Sequence, residues 1–249
     1  MSARLTQDEL ARYKRQIMLK EVGGPGQKKL KAARVLIIGA GGLGGPAGLY
    51  LAAAGVGHIG IADDDVVSLS NLHRQIQFQT NMVGESKPES LKTALHKLNP
   101  HCIYTLHNRK VSLSNGAAIL DGYDLVLDGT DDFEARFAIN ALCLDAKTPL
   151  ISGALGRFDG QLAAFKNDGK SACYRCLVPS TPPNAETCAA VGVLGALPGI
   201  IGAMMAMEAI KIITGAGEPL FGRLFLYDGL AAAARTIKLP KDPKCPSCG

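Results

Sequence analysis

The chain has 249 residues, 47% of them apolar, with a formal net charge of +5. That is enough for a full core in one large domain, or one domain with an appendage, and the mild, scattered charge without a dense Lys/Arg block argues against a nucleic-acid binder. Seven cysteines behind an N-terminus with no apolar leader (Met1-Ser2-Ala3-Arg4-Leu5-Thr6) predict a cytoplasmic protein whose thiols serve metal binding or catalysis rather than disulfides.

In chain order, Thr6-x-x-Glu9 fits a capping box and predicts a helix to about Leu19. Gly23-Gly24-Pro25-Gly26 breaks it, and a short helix over Gln27 to Ala33 follows. Arg34 then opens the apolar run Val35-Leu36-Ile37-Ile38, the pattern of a strand buried on both faces. It runs into Gly39-x-Gly41-x-x-Gly44 and an alanine-rich helix from Leu43 to Ala54. Glycines there let backbone N–H groups approach phosphate, and the helix N-terminus adds its positive dipole end. His58 to Ala62 form a second strand ending in Asp63, placed to bind ribose hydroxyls. A glycine-rich turn that binds nothing is the alternative.

Residues 64–75 are too polar for a strand and too irregular for a long helix. Ser86-Lys87-Pro88 opens a helix that runs to Asn99-Pro100, with proline in its first turn. Further elements are a strand at Cys102 to His107, a short helix at Asn115 to Leu120, and a strand at Leu125 to Asp128 that ends in Gly129-Thr130-Asp131-Asp132. A helix from Phe133 to Ala146 and a strand at Leu150 to Ala154 complete the alternation, which implies a parallel sheet covered on both sides.

Beyond this point the pattern changes. Gly156 to Lys166 reads as strand and turn, followed by Cys173-Tyr174-Arg175-Cys176, a proline-rich loop over Val178 to Glu186, and Cys188. Ala189 to Met207 is nearly uncharged and close to membrane-spanning length. Its glycines, Pro198, and the Glu208 and Lys211 that follow make it a loop feeding a buried core helix, Ile200 to Ile213, rather than a membrane span. Arg223 to Asp228 and Ala231 to Lys238 read as an antiparallel pair, and the chain closes on Cys245-Pro246-Ser247-Cys248. The expected fold is therefore α/β: a Rossmann-like, mostly parallel sheet with helices on both faces, and a C-terminal part with antiparallel strands and a four-cysteine zinc site. The expected divisions are N-terminal helices at 1–33, a nucleotide-binding core at 34–154, and a zinc-clamped part at 155–249.

Cys173, Cys176, Cys245 and Cys248 form two Cys-x-x-Cys pairs, each able to grip one edge of a tetrahedral ion, and zinc most often takes four sulfurs. Such a closed site leaves no position for substrate, so it reads as structural; unrelated buried cysteines or a redox pair are the alternatives. Arg74 and Lys87, near a nucleotide site, are suited to neutralise phosphates. Asp131, just past a strand's C-terminal end, is placed to hold Mg²⁺. Taken singly each is a surface charge; their placement after successive strand ends makes the functional reading. Cys188 reads either as a nucleophile or persulfide carrier or as an inert thiol. Cys102 and Cys143 read as core residues, and the five histidines show no ligand spacing.

Together, Gly39-x-Gly41-Gly42-Leu43-Gly44, Asp63-x-Asp65-x-Val67-x-x-Ser70-Asn71-Leu72-x-Arg74-Gln75, Lys87-Pro88, Asp128-x-Thr130-Asp131 and the two cysteine pairs resemble the MoeB/ThiF/HesA adenylyltransferases, bacterial relatives of ubiquitin-activating enzymes. The resemblance runs from Arg12-Tyr13-x-Arg15-Gln16 to the last cysteine. It implies a homodimer that uses ATP and Mg²⁺ to adenylate the C-terminal Gly-Gly carboxylate of a small ubiquitin-like sulfur carrier, releasing pyrophosphate. It also implies a nucleotide-contacting set of Gly39, Gly41, Gly42, Gly44, Asp63, Ser70, Asn71, Leu72, His73, Arg74, Lys87, Asp131 and Asp132. In this set Gly42 lies against the phosphates, Asp63 binds the ribose, Asn71, Arg74 and Lys87 contact the triphosphate, and Asp131 holds the metal. Arg15 matches an arginine that reaches the partner subunit's site, and Cys188 falls where thiamine-branch enzymes join their carrier. The neighbourhood of Cys188 is at least as similar to the molybdopterin branch, which makes molybdenum-cofactor synthesis the leading expectation and thiamine or another carrier the rival. Asp132 departs from the family's usual Asn and is expected to alter metal affinity without abolishing activity. Without a rhodanese-like extension, a separate sulfur donor is expected. An NAD(P)-dependent oxidoreductase would share the glycine loop and Asp63 but would not need Arg74, Lys87 and Asp131 together. A non-catalytic scaffold half of a heterodimer would not need to retain them either.

Overall fold

The strand Arg34–Ile38 (β1) has four successive side chains almost wholly removed from solvent, and the rest of the sheet builds outward from it. The structure, a computed structural model, describes residues 4–183 and 192–249. β1 pairs in parallel with His58–Ala62 (β2) on one side and Leu125–Asp128 (β4) on the other. Ile103–His107 (β3) and Leu150–Leu155 (β5) extend the parallel part outward. Asp159–Phe165 (β6), Arg223–Asp228 (β7) and Ala233–Lys238 (β8) then add antiparallel strands, giving the order β3-β2-β1-β4-β5-β6-β7-β8. The chain winds one way through β1, β2 and β3 and the other way through β4 and β5. That reversal leaves a crevice at the carboxyl ends of β1 and β4, where open α/β sheets bind their ligands.

Because successive strand residues face opposite ways, β1 feeds two cores. Val35 and Ile37 join the core made with Gly44–Ala54 (α4), Lys87–Leu98 (α5) and Leu197–Thr214 (α9). Leu36 and Ile38 join the opposite core with Gly116–Leu120 (α6), Phe133–Asp145 (α7) and Tyr174–Leu177 (α8). α9 has the length and apolarity of a membrane-spanning helix. Its Ile201, Met205, Ala206 and Ala209, however, are buried against α4 and the sheet, as expected of a core helix.

The capping box is present: Glu9 N–H donates to Thr6 Oγ1 at 3.2 Å and Thr6 N–H to Glu9 Oε2 at 2.7 Å. The helix it opens, Gln7–Arg12 (α1), stops short of Leu19, because Tyr13 turns inward and the buried ring interrupts it before Lys14–Ile17 (α2). Glu9, itself buried, binds Lys31 Nζ at 2.6 Å and so ties α1 to Gly23–Ala32 (α3). α3 contains the Gly-Gly-Pro-Gly segment instead of following it. Pro25 falls in the first turn, where a missing N–H costs nothing, and Gly26 packs against Thr214 at the end of α9.

Candidate active site

A cavity of about 540 Å³ opens at the carboxyl ends of β1, β2 and β4. Its floor is the loop between β1 and α4. Gly39 has φ of +92°, a left-handed conformation that favours glycine. A Cβ at Gly44 would stand 1.9 Å from Gly39 O and 2.8 Å from Ile37 Cγ2, so the third glycine permits close helix–strand packing and does not itself line the cavity. Gly39, Gly41 and Gly42 do line it, and the N–H groups of Gly41 and Gly42 make no hydrogen bond among the described residues. Unpaired amides at a helix N-terminus constitute an anion cradle.

Asp63 ends β2 at one wall. Its Oδ2 accepts from Ala40 N–H at 2.7 Å and its Oδ1 from Asp65 N–H at 2.8 Å. Burial pushes its carboxyl above the ordinary range, and those two amides partly offset the effect. Lys87, buried at the start of α5, donates to Asp65 Oδ2 at 2.6 Å, which draws its ammonium toward the cavity. Across from it, Arg74 Nη2 donates to Asn71 Oδ1 at 2.6 Å and Nη1 to Ser70 O at 3.2 Å and His73 Nε2 at 2.9 Å. Asn71 and Arg74 line the cavity, whereas Ser70 and His73 bear on it through Arg74, and Leu72 packs on the main core.

The third wall is the turn after β4. Asp128, buried, accepts from Thr130 N–H at 3.0 Å, Thr130 Oγ1 at 2.7 Å and Ser152 Oγ at 3.1 Å. Asp131 is exposed at the cavity and makes no hydrogen bond or ion pair among the described residues. Asp132 is committed elsewhere. It caps α7 through Glu134 N–H at 3.1 Å and pairs with Lys110 Nζ at 2.9 Å, and Lys110 holds its carboxyl below the usual range. Asp63, Asp65 and Asp132 are thus engaged by protein donors, while Asp131 and Asp64 keep free oxygens for a hard cation. The family departure at Asp132 is neutralised by a residue of the loop after β3.

Lys110, its neighbour Arg109 and Arg136 are cavity residues that sequence reasoning missed. Arg109 and Lys110 follow the end of β3, so applying the strand-end rule to that strand would have found them. Arg136, only 5% exposed, donates to Thr130 O, to Gly153 O at 2.9 Å and to Ser152 Oγ at 3.5 Å. Burial opposes its charge, but Asp128 beside it prevails and holds the guanidinium protonated. Arg15 lies on α2, exposed, and is not among the residues that line the cavity of its own chain. Cys188 lies outside the described residues.

The two cysteine pairs converge outside the cavity lining, although Tyr174 between Cys173 and Cys176 reaches the cavity wall. Cys173 Sγ is 3.6 Å from Cys245 Sγ, Cys176 Sγ is 3.5 Å from Cys248 Sγ, and all four sulfurs lie within 4.8 Å of one another. Sulfurs at about 2.3 Å from a tetrahedral zinc would stand roughly 3.8 Å apart, so the set fits that ion. Asp242 N–H donates to Cys176 Sγ at 3.4 Å, supporting a thiolate ligand from outside the set. Four sulfurs fill the coordination shell, and the fit is that of a structural centre joining residues 173–176 to the tail.

The chain matches the ThiF family over residues 13–247. A protein of Thermus thermophilus named sulfur carrier protein adenylyltransferase is 43% identical over 252 residues, covering 99% of this chain and 93% of that protein. Adenylyltransferase and sulfurtransferase MOCS3 of Drosophila sechellia is 48% identical over 248 residues, 98% of this chain but 54% of that protein, so the chain spans about half the length of that relative. Among solved structures, E. coli MccB with ATP aligns at 25% identity and a TM-score of 0.76, over 90% of this chain and 68% of the other. With a glycine loop, cationic wall and cysteine centre in one sequence that these matches span almost end to end, the chain belongs to the ThiF family.

Proposed function

We propose that the chain is an ATP-dependent adenylyltransferase that activates the C-terminal Gly-Gly carboxylate of a small ubiquitin-like sulfur carrier. One observation carries the reading: a single cavity gathers free loop amides, Asp63, Asn71, Arg74, Lys87 and Asp131 at a topological switch point. The Thermus relative's name points to the same substrate class.

The carrier carboxylate attacks the α-phosphorus, the bond to the β-phosphate breaks, and pyrophosphate leaves. A carboxylate attacking a polyanion needs charge neutralisation and in-line placement more than a general base. The Gly41 and Gly42 amides cradle phosphate oxygens, Asp63 holds the ribose, and Asn71 orients the Arg74 guanidinium. Lys87 supplies a second cation, steered by Asp65 until phosphate competes for it. Mg²⁺, when bound by Asp131, supplies further neutralisation of the phosphate oxygens. Ser70, Leu72 and His73 shape this wall without lining it. Zinc held by Cys173, Cys176, Cys245 and Cys248 would take no part in the chemistry and would clamp the tail of the 155–249 part, which is assigned to carrier binding.

The working unit is a homodimer in which Arg15 of each chain completes the partner's site, consistent with its exposure and its absence from the cavity lining of its own chain. The molybdopterin branch is the preferred assignment, with a cytoplasmic location and a separate sulfur donor. ATP–pyrophosphate exchange, measured against a panel of purified sulfur carriers, tests the reading. Exchange that depends on one carrier identifies the substrate. Exchange with none, in protein that binds ATP, would refute it.

A further inference from the structure

The glycine loop is held from beneath by a residue that does not line the cavity. Gln77, 6% exposed, lies three residues beyond Arg74 and directs its amide nitrogen at the loop. Its Nε2 donates to Ala40 O at 2.9 Å and to Gly41 O at 3.0 Å. Two carbonyl acceptors require the nitrogen end of the amide, so the chemistry fixes its orientation. Its Oε1 is buried with no hydrogen-bond partner among the described residues. A buried amide left half-satisfied is costly compared with an apolar side chain of the same size. The contribution of Gln77 therefore lies in its two donated bonds.

Those bonds have a directional consequence. In a trans peptide the C=O of one residue and the N–H of the next point opposite ways. Anchoring the carbonyls of Ala40 and Gly41 on the inner side turns the N–H groups of Gly41 and Gly42 outward, and both residues line the cavity with those amides free. Asp63 holds the peptide before them through Ala40 N–H. Gly45 makes room for the device, since a Cβ there would stand 2.2–2.3 Å from the Gln77 amide atoms.

We infer that Gln77 is a positioning residue that presets the phosphate-binding amides of the loop, with Gly45 as the seat its amide requires. The inference rests on reading the cavity as the ATP site and deepens that reading. Without the Gln77 donors the Ala40 carbonyl loses its anchor and is free to rotate toward the phosphates, where it would repel them, and Gly41 O keeps only the bond from Gly45 N–H at 2.9 Å.

Gln77→Met keeps the length and apolar volume of the side chain but removes both donors. ATP affinity, measured by calorimetry on the full chain with Mg²⁺ present, should fall at least tenfold, while the thermal midpoint without nucleotide stays near wild type. Gly45→Ala should cause a similar loss by expelling the amide. Because both changes break one contact, the double variant should be little worse than either single one. Gly45→Ala also approaches the contact from the other side if Gln77→Met fails to fold. Wild-type ATP affinity in Gln77→Met, or additive losses that track a lowered thermal midpoint, would overturn the inference and leave ATP binding by the wild-type chain intact. Absence of ATP binding by the wild-type chain would overturn the nucleotide reading itself and the inference with it.

Discussion

The two halves of the sheet use their strands differently. In the parallel half, β1, β2, β3 and β4 all point their carboxyl ends at the same crevice, so loops far apart in sequence deliver Gly41, Asp63, Lys110 and Asp131 to one cavity. In the antiparallel half, β6, β7 and β8 alternate in direction and their connections diverge. Among the described residues no comparable convergence forms there; β6 continues the sheet from β5, and four thiols bring the tail back to Cys173 and Cys176. Parallel pairing concentrates chemistry, and antiparallel pairing extends a surface whose C-terminal tail is fastened separately. The two regions should therefore fail differently when damaged.

The largest expected effect is in the parallel half. Asp131→Ala should reduce carrier-dependent pyrophosphate exchange by about a hundredfold or more, equivalent to roughly 3 kcal/mol or more of transition-state stabilisation. Folding should be preserved, because Asp131 makes no bond to the rest of the chain among the described residues. Near-normal exchange would remove Asp131 from the site.

Arg15 extends this test across two chains. Arg15→Ala and Asp131→Ala homodimers should each be nearly inactive. Subunit exchange between them should yield heterodimers with one site lacking both groups and one intact, restoring about half the wild-type activity per heterodimer. An arginine acting within its own chain would leave every site broken, so verified exchange without recovery would refute the shared site.

The antiparallel half should lose stability in place of activity. Metal analysis of reduced protein is expected to give one zinc per chain. Its removal by a chelator should lower the thermal midpoint by about 5–10 °C, the scale of a loss of roughly 2–3 kcal/mol in a chain of this size. The tail should release first, with ATP affinity retained. Well under one equivalent of zinc, or loss of ATP binding in step with the metal, would erase the distinction between the two regions.

How much of this was legible in the sequence follows the same division. Strand runs such as Val35-Leu36-Ile37-Ile38, the Gly39-x-Gly41-x-x-Gly44 loop and the cysteine spacing are local patterns, and local physics places them. Gln77 and Arg136 are not legible in this way. Each is a polar residue with partners, Ala40 and Gly41 for one and Gly153 for the other, that are distant in sequence and meet it only in the folded chain. The helix starts at Gly23, four residues before the Gln27 that glycine and proline as breakers predict. Packing of Gly26 against α9 and the tolerance of a first turn for proline outweighed that propensity.

The smallest expected effect concerns Asp132, which belongs to the active half but performs the kind of fastening seen in the other. Its carboxylate caps α7 and pairs with Lys110, so it bridges the loops after β3 and β4 and is not free for a metal. Asp132→Asn keeps a good N-cap and removes the charge. The ion pair is partly exposed, with side-chain accessibilities of 61% and 40%, so its loss should cost about 1 kcal/mol or less. The pH dependence follows from the sign of the shift. Lys110 holds the folded carboxyl below its unfolded value of about 3.9, so the stabilisation is full above that value and is lost as pH falls through the lower, folded one. The Asn variant should therefore be slightly less stable than wild type at pH 7, and the gap should close on acidification below about pH 4. Pyrophosphate exchange should stay within about threefold of wild type, since Asp131 and Arg74 are untouched. A drop comparable to that of Asp131→Ala would show instead that Asp132 holds the metal, and that the bridge to Lys110 is surrendered when nucleotide binds.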